Sequence, residues 1–320
     1  MNYRQLGRTG IQVSEIGFGA WGIGGAIRGS ISYGPTDDQE SREALKRAFE
    51  KGITFYDTAD LYGYGHSERL IGETFQSKRD QVVIASKVGR RDQDGAQDFS
   101  PVHIRRSLDE SLKRLKTDYL DLYQLHDPPM KLLEDAPEIC ETLRSLKQTG
   151  AIRAWGISLK EPADGVAAIT KFRCDAVQVN FNMIDQRIIA MGLLQCCREE
   201  GVGLVSRTPL CFGFLTGEYS AAMQFNAHDH RGRWSTAQRE LWANANQAFA
   251  ELKRREKESL AQQALRYCLS YAEVSTVIPG MLRAKEVDDN IDASRLGPLE
   301  DHERDTIESI YKSATFFVKK

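Results

Sequence analysis

The chain has 320 residues, with 43 lysines and arginines against 45 aspartates and glutamates and a formal net charge of −2. This balance excludes a globally basic nucleic-acid-binding protein and gives no electrostatic reason for binding to an anionic membrane. With 41% hydrophobic and 28% charged residues, the composition is typical of a folded globular protein and not of a disordered one.

The sequence also indicates a compartment. No stretch approaches the ~20 apolar residues of a membrane span, and the start MNYRQLGRTG has no apolar secretory core. The six cysteines form no Cys-x-x-Cys pair, which favours reduced thiols over a disulfide framework. We therefore expect a cytoplasmic protein.

Short β-branched runs alternate along the chain with amphipathic stretches, a pattern that predicts alternating strands and helices. One helix is marked by Ser100 as its N-cap and Pro101 at its first position. The predicted strands cover residues 16–18, 53–57, 82–86, 119–125, 152–157, 176–179, 203–206 and 275–278. The other predicted helices cover residues 38–51, 67–75, 131–148, 187–200, 258–271 and 285–293.

Eight strand–helix units without a break in composition predict one α/β domain over residues 1–320, a (β/α)8 TIM barrel. Residues 1–13 are expected to form a hairpin before the first barrel strand. Residues 215–250 are too long for a simple connection, so we expect them to form a covering loop.

Polar residues stand where the predicted strands end, which is where the functional residues of a parallel barrel lie. Tyr62 lies in the loop after the second strand. The residues at or near the ends of the second to seventh strands are Asp57, Lys87, His126, Ser158, Gln178 and Arg207.

A tyrosine, a lysine, an aspartate and a histidine together suit proton donation to an oxygen that becomes more basic as it is reduced. A free tyrosine has a pKa near ~10 and is a poor acid at neutral pH. We expect Lys87 to lower the pKa of Tyr62, and Asp57 to keep Lys87 charged. His126 would orient the substrate oxygen. The set contains no Ser–His–Asp nucleophile, which disfavours acyl transfer.

Several motifs in the same order resemble the aldo-keto reductase superfamily, in particular its bacterial branch and the members similar to potassium-channel beta subunits. The central segments are ITFYDTADLYGYGHSERLIGE (53–73), VVIASKVG (82–89), YLDLYQLHDPP (119–129), RAWGIS (153–158) and AVQVNFNMIDQR (176–187). The match extends through LGRTGIQVSEIGFGAWGIGG (6–25), TPLCFGFLTGEY (208–219) and STVIPG (275–280).

The resemblance implies a barrel that binds an extended nicotinamide dinucleotide and transfers hydride between it and a carbonyl or alcohol. Tyr62 matches the proton donor, Lys87 the residue that tunes it, Asp57 the carboxylate that holds the lysine, and His126 the carbonyl-orienting histidine. The positions that match cofactor contacts are Trp21, Asp57, Ser158, Gln178, Arg207, Thr208, Pro209, Leu210, Gly280, Arg283, Asp289 and Asn290.

The chain departs from the family pattern at four positions. Leu159 replaces an asparagine that often follows the carboxamide serine. Arg207 replaces an aromatic residue that stacks on the nicotinamide in many members, and Glu218 replaces a lysine near the pyrophosphate. Glu286 stands where arginine or glutamine is frequent, while Arg283 and Lys285 remain beside it. The two cations favour NADP(H), and Glu286 leaves NAD(H) open.

The sequence His228-Asp229-His230 resembles a metal cluster, but adjacent residues of an extended loop point in different directions. We therefore expect no metal and favour a solvated basic loop. The alternative is that Arg231 or Arg233 closes over the cofactor phosphates.

The function expected from the sequence is NADP(H)-dependent reduction of an aldehyde, ketone or sugar-like carbonyl. Two alternatives stay open: a sugar or alcohol dehydrogenase that runs in the oxidative direction, and a slow-turnover, cofactor-binding subunit that senses redox state. The expected partner is a small-molecule substrate, and a homo-oligomer is compatible with the sequence.

Overall fold

The computed structural model describes residues 1–92, 94–252 and 254–318, with the exception of the Arg28 side chain. It begins with an antiparallel hairpin, formed by β1 (Tyr3–Gln5) and β2 (Gln12–Ser14). Eight parallel strands follow: β3 (Phe18–Gly19), β4 (Phe55–Asp57), β5 (Val83–Val88), β6 (Leu120–His126), β7 (Ile152–Ser158), β8 (Ala176–Asn180), β9 (Gly203–Arg207) and β10 (Val274–Ile278).

The parallel sheet closes on itself between β3 and β10. The Gly17 amide donates to the Val277 carbonyl at 2.8 Å, and the Gly19 amide donates to the Pro279 carbonyl at 2.9 Å. A Cβ at Gly19 would lie 2.7 Å from the Ile278 carbonyl oxygen, so this seam needs glycine. The predicted (β/α)8 barrel is confirmed, and each predicted strand agrees with the observed one to within two residues at either end.

The described residues contain thirteen α-helices around the barrel. They are α1 (Asp38–Glu50), α2 (His66–Phe75), α3 (Pro101–Leu115), α4 (Met130–Asp135), α5 (Glu138–Gln148), α6 (Gly165–Thr170), α7 (Arg187–Ala190), α8 (Leu193–Glu200), α9 (Thr236–Ala243), α10 (Ala245–Ala248), α11 (Leu260–Leu269), α12 (Ala284–Leu296) and α13 (Asp301–Ser313). None of the described helices is long and apolar enough to cross a membrane.

Two helices that were predicted to be continuous are each divided into two, so their prediction was wrong in this respect. The helix predicted over 131–148 is divided into α4 and α5 at Pro137, because proline has no amide hydrogen and its ring collides with the preceding turn. The helix predicted over 187–200 is divided into α7 and α8 at Gly192, whose φ of +71° leaves the right-handed helical region.

Four of the described helices were not predicted from the sequence. Of these, α6 has only six residues, too few to give a helical period, and α13 follows the last barrel strand. The other two, α9 and α10, lie within residues 215–250, so this covering segment is partly helical. Trp242 anchors it, with its buried ring 5.7 Å from the rings of Phe212 and Phe214.

The N-terminal hairpin plugs the amino-terminal end of the barrel. Leu6, Ile11 and Val13 are buried in one cluster with residues from the barrel interior, including Phe55. The plug leaves the carboxyl ends of the strands as the open end of the barrel.

A buried carboxylate links the strands near the amino-terminal end of the barrel. Asp121 on β6 is fully buried. It accepts hydrogen bonds from Arg79 at 2.7 Å, from Arg153 at 2.6 Å and from the Ile84 amide at 2.9 Å. It therefore links β5, β6 and β7 with the segment before β5.

We predict that Asp121→Ala lowers the free energy of unfolding by about 3 kcal/mol or more, because it leaves the Arg79 cation and a buried amide without their partner. Urea unfolding followed by circular dichroism measures the change. Asp109→Ala, which removes an exposed carboxylate from α3, is the control and should change stability by less than about 0.5 kcal/mol. Equal effects of the two substitutions would contradict the role of Asp121 in linking the strands.

Candidate active site

The barrel register brings the residues at the strand ends together. Asp57 ends β4, His126 ends β6 and Ser158 ends β7. In the sheet His126 pairs with Ser158, and Ser158 pairs with Gln178 of β8. These side chains therefore lie at one level of the barrel, at the mouth left open by the hairpin.

A buried ion pair forms the centre of this site. The Lys87 ammonium donates to Asp57 Oδ2 at 2.6 Å, to the Thr58 carbonyl at 2.8 Å and to the Tyr62 hydroxyl at 3.1 Å. The side chain of Lys87 is fully buried and that of Asp57 is 3% exposed. All three donor positions of the ammonium are used, so its direction towards Tyr62 is fixed.

The second oxygen of Asp57 is also engaged. Gln178 Nε2 donates to Asp57 Oδ1 at 2.7 Å, and Gln124 Nε2 lies 3.4 Å from the same oxygen. Ser158 Oγ donates a hydrogen bond to the Gln178 amide oxygen at 3.4 Å. The carboxylate thereby orients the Gln178 amide as well as the lysine.

The loop that carries Tyr62 is held by close backbone packing. Gly63 has a φ of +58°, and a Cβ at this position would lie 2.2 Å from the Gly24 carbonyl oxygen. Ser67, at the start of α2, accepts from Thr58 at 2.8 Å and donates to the Ala20 carbonyl at 2.8 Å. Only glycine fits at position 63, and the packing fixes the position of the neighbouring tyrosine.

Burial changes the proton affinities of the site. Burial lowers the pKa of Lys87, but Asp57 and Tyr62 outweigh it, and the net pKa is raised. Burial raises the pKa of Tyr62, while Lys87 lowers it and Asp57 raises it. The net pKa of Tyr62 is raised, which is opposite to the shift expected from the sequence, because burial outweighs the attraction of the lysine.

His126 is a neutral imidazole in this pocket. Burial lowers its pKa to about 3. Its ring stands edge-on to the ring of Tyr62, with the centroids 5.9 Å apart. Within the described part of the chain, its buried Nδ1 has no hydrogen-bond partner.

A cavity of about 200 Å³ opens above these residues. Its walls include Trp21, Tyr62, Arg90, His126, Gln178 and Arg207. A second cavity continues from it towards α12, and the two share Tyr33, Thr208, Phe212 and Gly280. Together they form one extended groove across the barrel mouth.

Most of the residues predicted to contact a cofactor lie on this groove. The end of the groove that contains Tyr62 and His126 is the candidate catalytic end, and it also holds Trp21, Asp57, Gln178 and Arg207. The end near α12 holds Thr208, Pro209, Leu210, Gly280, Asp289 and Asn290. Two predicted residues do not line the groove. Ser158 is fully buried behind Gln178, and the Arg283 side chain is 68% exposed and lies 3.4 Å from Glu40.

Tyr33 was not singled out from the sequence, and Arg231 was given only as an alternative. Arg231 is buried and lies 4.8 Å from the ring centroid of Tyr33 and 4.4 Å from that of Tyr219. Asp229 holds its guanidinium at 2.6 Å and 3.0 Å. The expected solvated loop is therefore wrong at Arg231, which covers the groove. The Asp229-x-Arg231 spacing was the feature of the sequence that could have predicted this buried ion pair.

A small charged cluster flanks the catalytic end of the groove. Asp127 lies between Arg90 at 3.5 Å and Arg207 at 3.7 Å. Burial raises the pKa of Asp127, but the nearby cations Arg207 and Arg90 outweigh burial, and its net pKa is lowered. Arg207 also donates to the Leu159 carbonyl at 2.7 Å. The cluster carries two cations and one anion.

The barrel, the site and the groove together define an oxidoreductase of the aldo-keto reductase class. The family model of the aldo/keto reductase family matches residues 15–312 of the sequence. The chain therefore belongs to that family. Members of this family generally use NAD(P)H. The resemblance stated from the sequence motifs is thereby confirmed.

Individual relatives cover almost the whole chain. The uncharacterized oxidoreductase YqkF of Bacillus subtilis is 31% identical over 98% of this chain and 99% of its own length. A probable voltage-gated potassium channel subunit beta of Arabidopsis thaliana is 28% identical over 93% of both chains. The holo form of the aldo-keto reductase AKR11C1 from Bacillus halodurans aligns with a TM-score of 0.79 at 29% identity, covering 100% of this chain and 98% of that one.

We predict that His126 stays neutral from pH 8 down to about pH 5, because its pKa lies near 3 and the charged form exists only below that value. Histidine ¹⁵N chemical shifts, assigned by comparison with His126→Gln, measure its protonation. A midpoint near 6.5 for the His126 signal would contradict the burial described here.

Proposed function

We propose that this protein is an NAD(P)(H)-dependent reductase of a small carbonyl compound, with Tyr62 as the general acid. The observation that carries the proposal is the fully buried Lys87 ammonium, 2.6 Å from Asp57 and 3.1 Å from the Tyr62 hydroxyl. Tyr62 and His126 line the same cavity, so both can reach one substrate oxygen.

The groove fits an extended dinucleotide. It is continuous from the Tyr62 end to α12, and aromatic rings and Arg231 cover it. Gln178, whose amide oxygen accepts a hydrogen bond from Ser158, would hold the carboxamide end, and Asn290, near α12, would face the adenosine end. The bound nicotinamide supplies the hydride.

Residues of the protein would transfer the proton. The Tyr62 hydroxyl donates its proton to the carbonyl oxygen as that oxygen gains negative charge. Lys87 stabilises the resulting phenolate, and Asp57 keeps the lysine charged and directed at Tyr62. Neutral His126 donates a hydrogen bond to the same oxygen and aligns the carbonyl.

The alternatives from the sequence use the same groups. Oxidation of an alcohol runs the same proton transfer in reverse, so the geometry of Tyr62 and Lys87 serves both directions. A slow-turnover redox-sensing subunit would bind the cofactor equally well but show negligible turnover. NADP(H), the cofactor favoured by the sequence, stays a prediction at this point.

We also propose that residues 1–320 form a single domain, of which Lys319 and Lys320 lie outside the described residues. The proposed compartment is the cytoplasm. The Asn2 amide donates to Ser294 at 2.9 Å, which supports docking of the N-terminus on the barrel. Six buried free thiols support a reducing compartment. Self-association stays a prediction.

The arginines at the catalytic end favour a substrate with an anionic group. Arg90 and Arg207 line the cavity with Tyr62. Among the residues that the structure describes, Asp127 is the one carboxylate within ion-pair distance of either arginine. Within the described residues, the buried Arg207 Nε has no hydrogen-bond partner. A carboxylate or phosphate on the substrate would therefore meet an uncompensated positive charge.

We predict that Tyr62→Phe and Lys87→Met each lower kcat/KM for 4-nitrobenzaldehyde by about 10²–10⁴-fold, because the general acid or its cationic partner is lost. Steady-state oxidation of NADPH and of NADH measures the rate. Tyr64→Phe, which removes a hydroxyl from the same loop, is the matched control and should retain wild-type turnover. Wild-type turnover in Tyr62→Phe would rule out the proposed acid, and negligible wild-type turnover with tight cofactor binding would favour the redox-sensing subunit.

We predict that Arg90→Gln raises KM for 4-carboxybenzaldehyde about tenfold, the loss of one charge-assisted contact of about 1.5 kcal/mol. It should change KM for neutral 4-nitrobenzaldehyde less than about twofold. Arg91→Gln, at the exposed neighbouring position, should change neither. An equal change for both aldehydes in Arg90→Gln would contradict the anion preference.

A further inference from the structure

We infer that the α12 end of the groove selects NAD(H) over NADP(H), and that Glu286 is the residue that decides this preference. The inference rests on the proposed function, since it concerns the cofactor of the same site. It reverses the preference that the sequence indicates.

Glu286 lies at the start of α12, at the end of the groove where we place the adenosine ribose. It lies in the first turn of α12 and lines the groove. Its Oε2 accepts a hydrogen bond from the Leu282 amide at 2.6 Å and lies 3.4 Å from the Arg283 amide. Free amides at a helix start are favourable partners for an anion. Here the protein's own carboxylate already satisfies them.

A ribose phosphate and a ribose hydroxyl respond to this carboxylate in opposite ways. A phosphate monoester carries about −1.5 to −2 charge at pH 7, so it is repelled by Glu286 and competes with it for the same amides. The 2′-hydroxyl of NAD(H) can donate a hydrogen bond to a carboxylate, which is how acidic residues select NAD in other dinucleotide sites.

The two cations at the start of α12, Arg283 and Lys285, do not line the groove. The Arg283 side chain is 68% exposed and is paired with Glu40, and Lys285 is also exposed. Arg231 is the one arginine or lysine among the described residues that line this end of the groove. Its guanidinium is already bound by Asp229 at 2.6 Å.

Two further carboxylates add negative charge to the same wall. Glu218 and Asp289 line the groove with Glu286. Asp289 accepts from Ser259 at 3.1 Å and from Gln262 at 2.9 Å, which fixes its position. Burial raises the pKa of Asp289, and Glu218 contributes to that rise, so the charges interact. Three acids therefore face the end of the groove where a 2′-phosphate would lie.

The test is a direct binding measurement on the full chain. Tryptophan fluorescence is titrated separately with NADH and NADPH, with Trp21 in the groove as a reporter. The variants are Glu286→Gln and Glu218→Gln. The matched control is Glu303→Gln, since Glu303 accepts from the Glu300 amide at 2.7 Å in the same type of cap at the start of α13.

We expect wild-type protein to bind NADH at least tenfold more tightly than NADPH. Glu286→Gln should lower Kd for NADPH about five- to tenfold and raise Kd for NADH severalfold. Glu218→Gln should shift the ratio in the same direction by less, and Glu303→Gln should leave it unchanged.

Tighter binding of NADPH than of NADH by the wild type would overturn the inference while leaving the proposed function intact. An unchanged ratio in both Glu286→Gln and Glu218→Gln would overturn the role of the acidic wall. If wild-type protein binds neither cofactor, the proposed function itself fails. The wild-type ratio needs no variant, so poor folding of Glu286→Gln leaves the inference testable.

Discussion

The site depends on one buried ion pair. Asp57 and Lys87 come from adjacent barrel strands, and almost none of either side chain reaches solvent. Charges removed from water in this way are stable only when every polar atom has a partner. The Thr58 carbonyl, the Tyr62 hydroxyl and the Gln178 amide supply those partners, so the ion pair determines where the acid and the amide lie.

The same burial that fixes the geometry also sets the chemistry. It raises the pKa of Tyr62 and lowers that of His126. Tyr62 therefore stays a protonated donor at neutral pH, and His126 stays an uncharged hydrogen-bond donor. In this arrangement Lys87 limits the rise in the pKa of Tyr62, and in the proposed mechanism it would stabilise the phenolate left after proton transfer.

The sequence predicted the barrel, and the polar residues that meet at its mouth, because both have local signals, namely β-branched runs and polar residues at their ends. The break between α4 and α5 also had a signal, Pro137, which the helical period obscured. The position of Arg283 had none, because its side chain follows Glu40, which lies far away in the sequence. The net pKa shift of Tyr62 was likewise not predictable, since burial and charge act in opposite directions and their balance depends on the folded environment.

The most direct test of this account is the titration of Tyr62 itself. Protein labelled with ¹³Cζ-tyrosine is titrated in the wild type and in Lys87→Met, with Tyr62→Phe for assignment. We expect Tyr62 to ionise above the range of a free tyrosine in the wild type, and at a still higher pH in Lys87→Met. A wild-type midpoint below that of free tyrosine, or the same midpoint in both proteins, would contradict it.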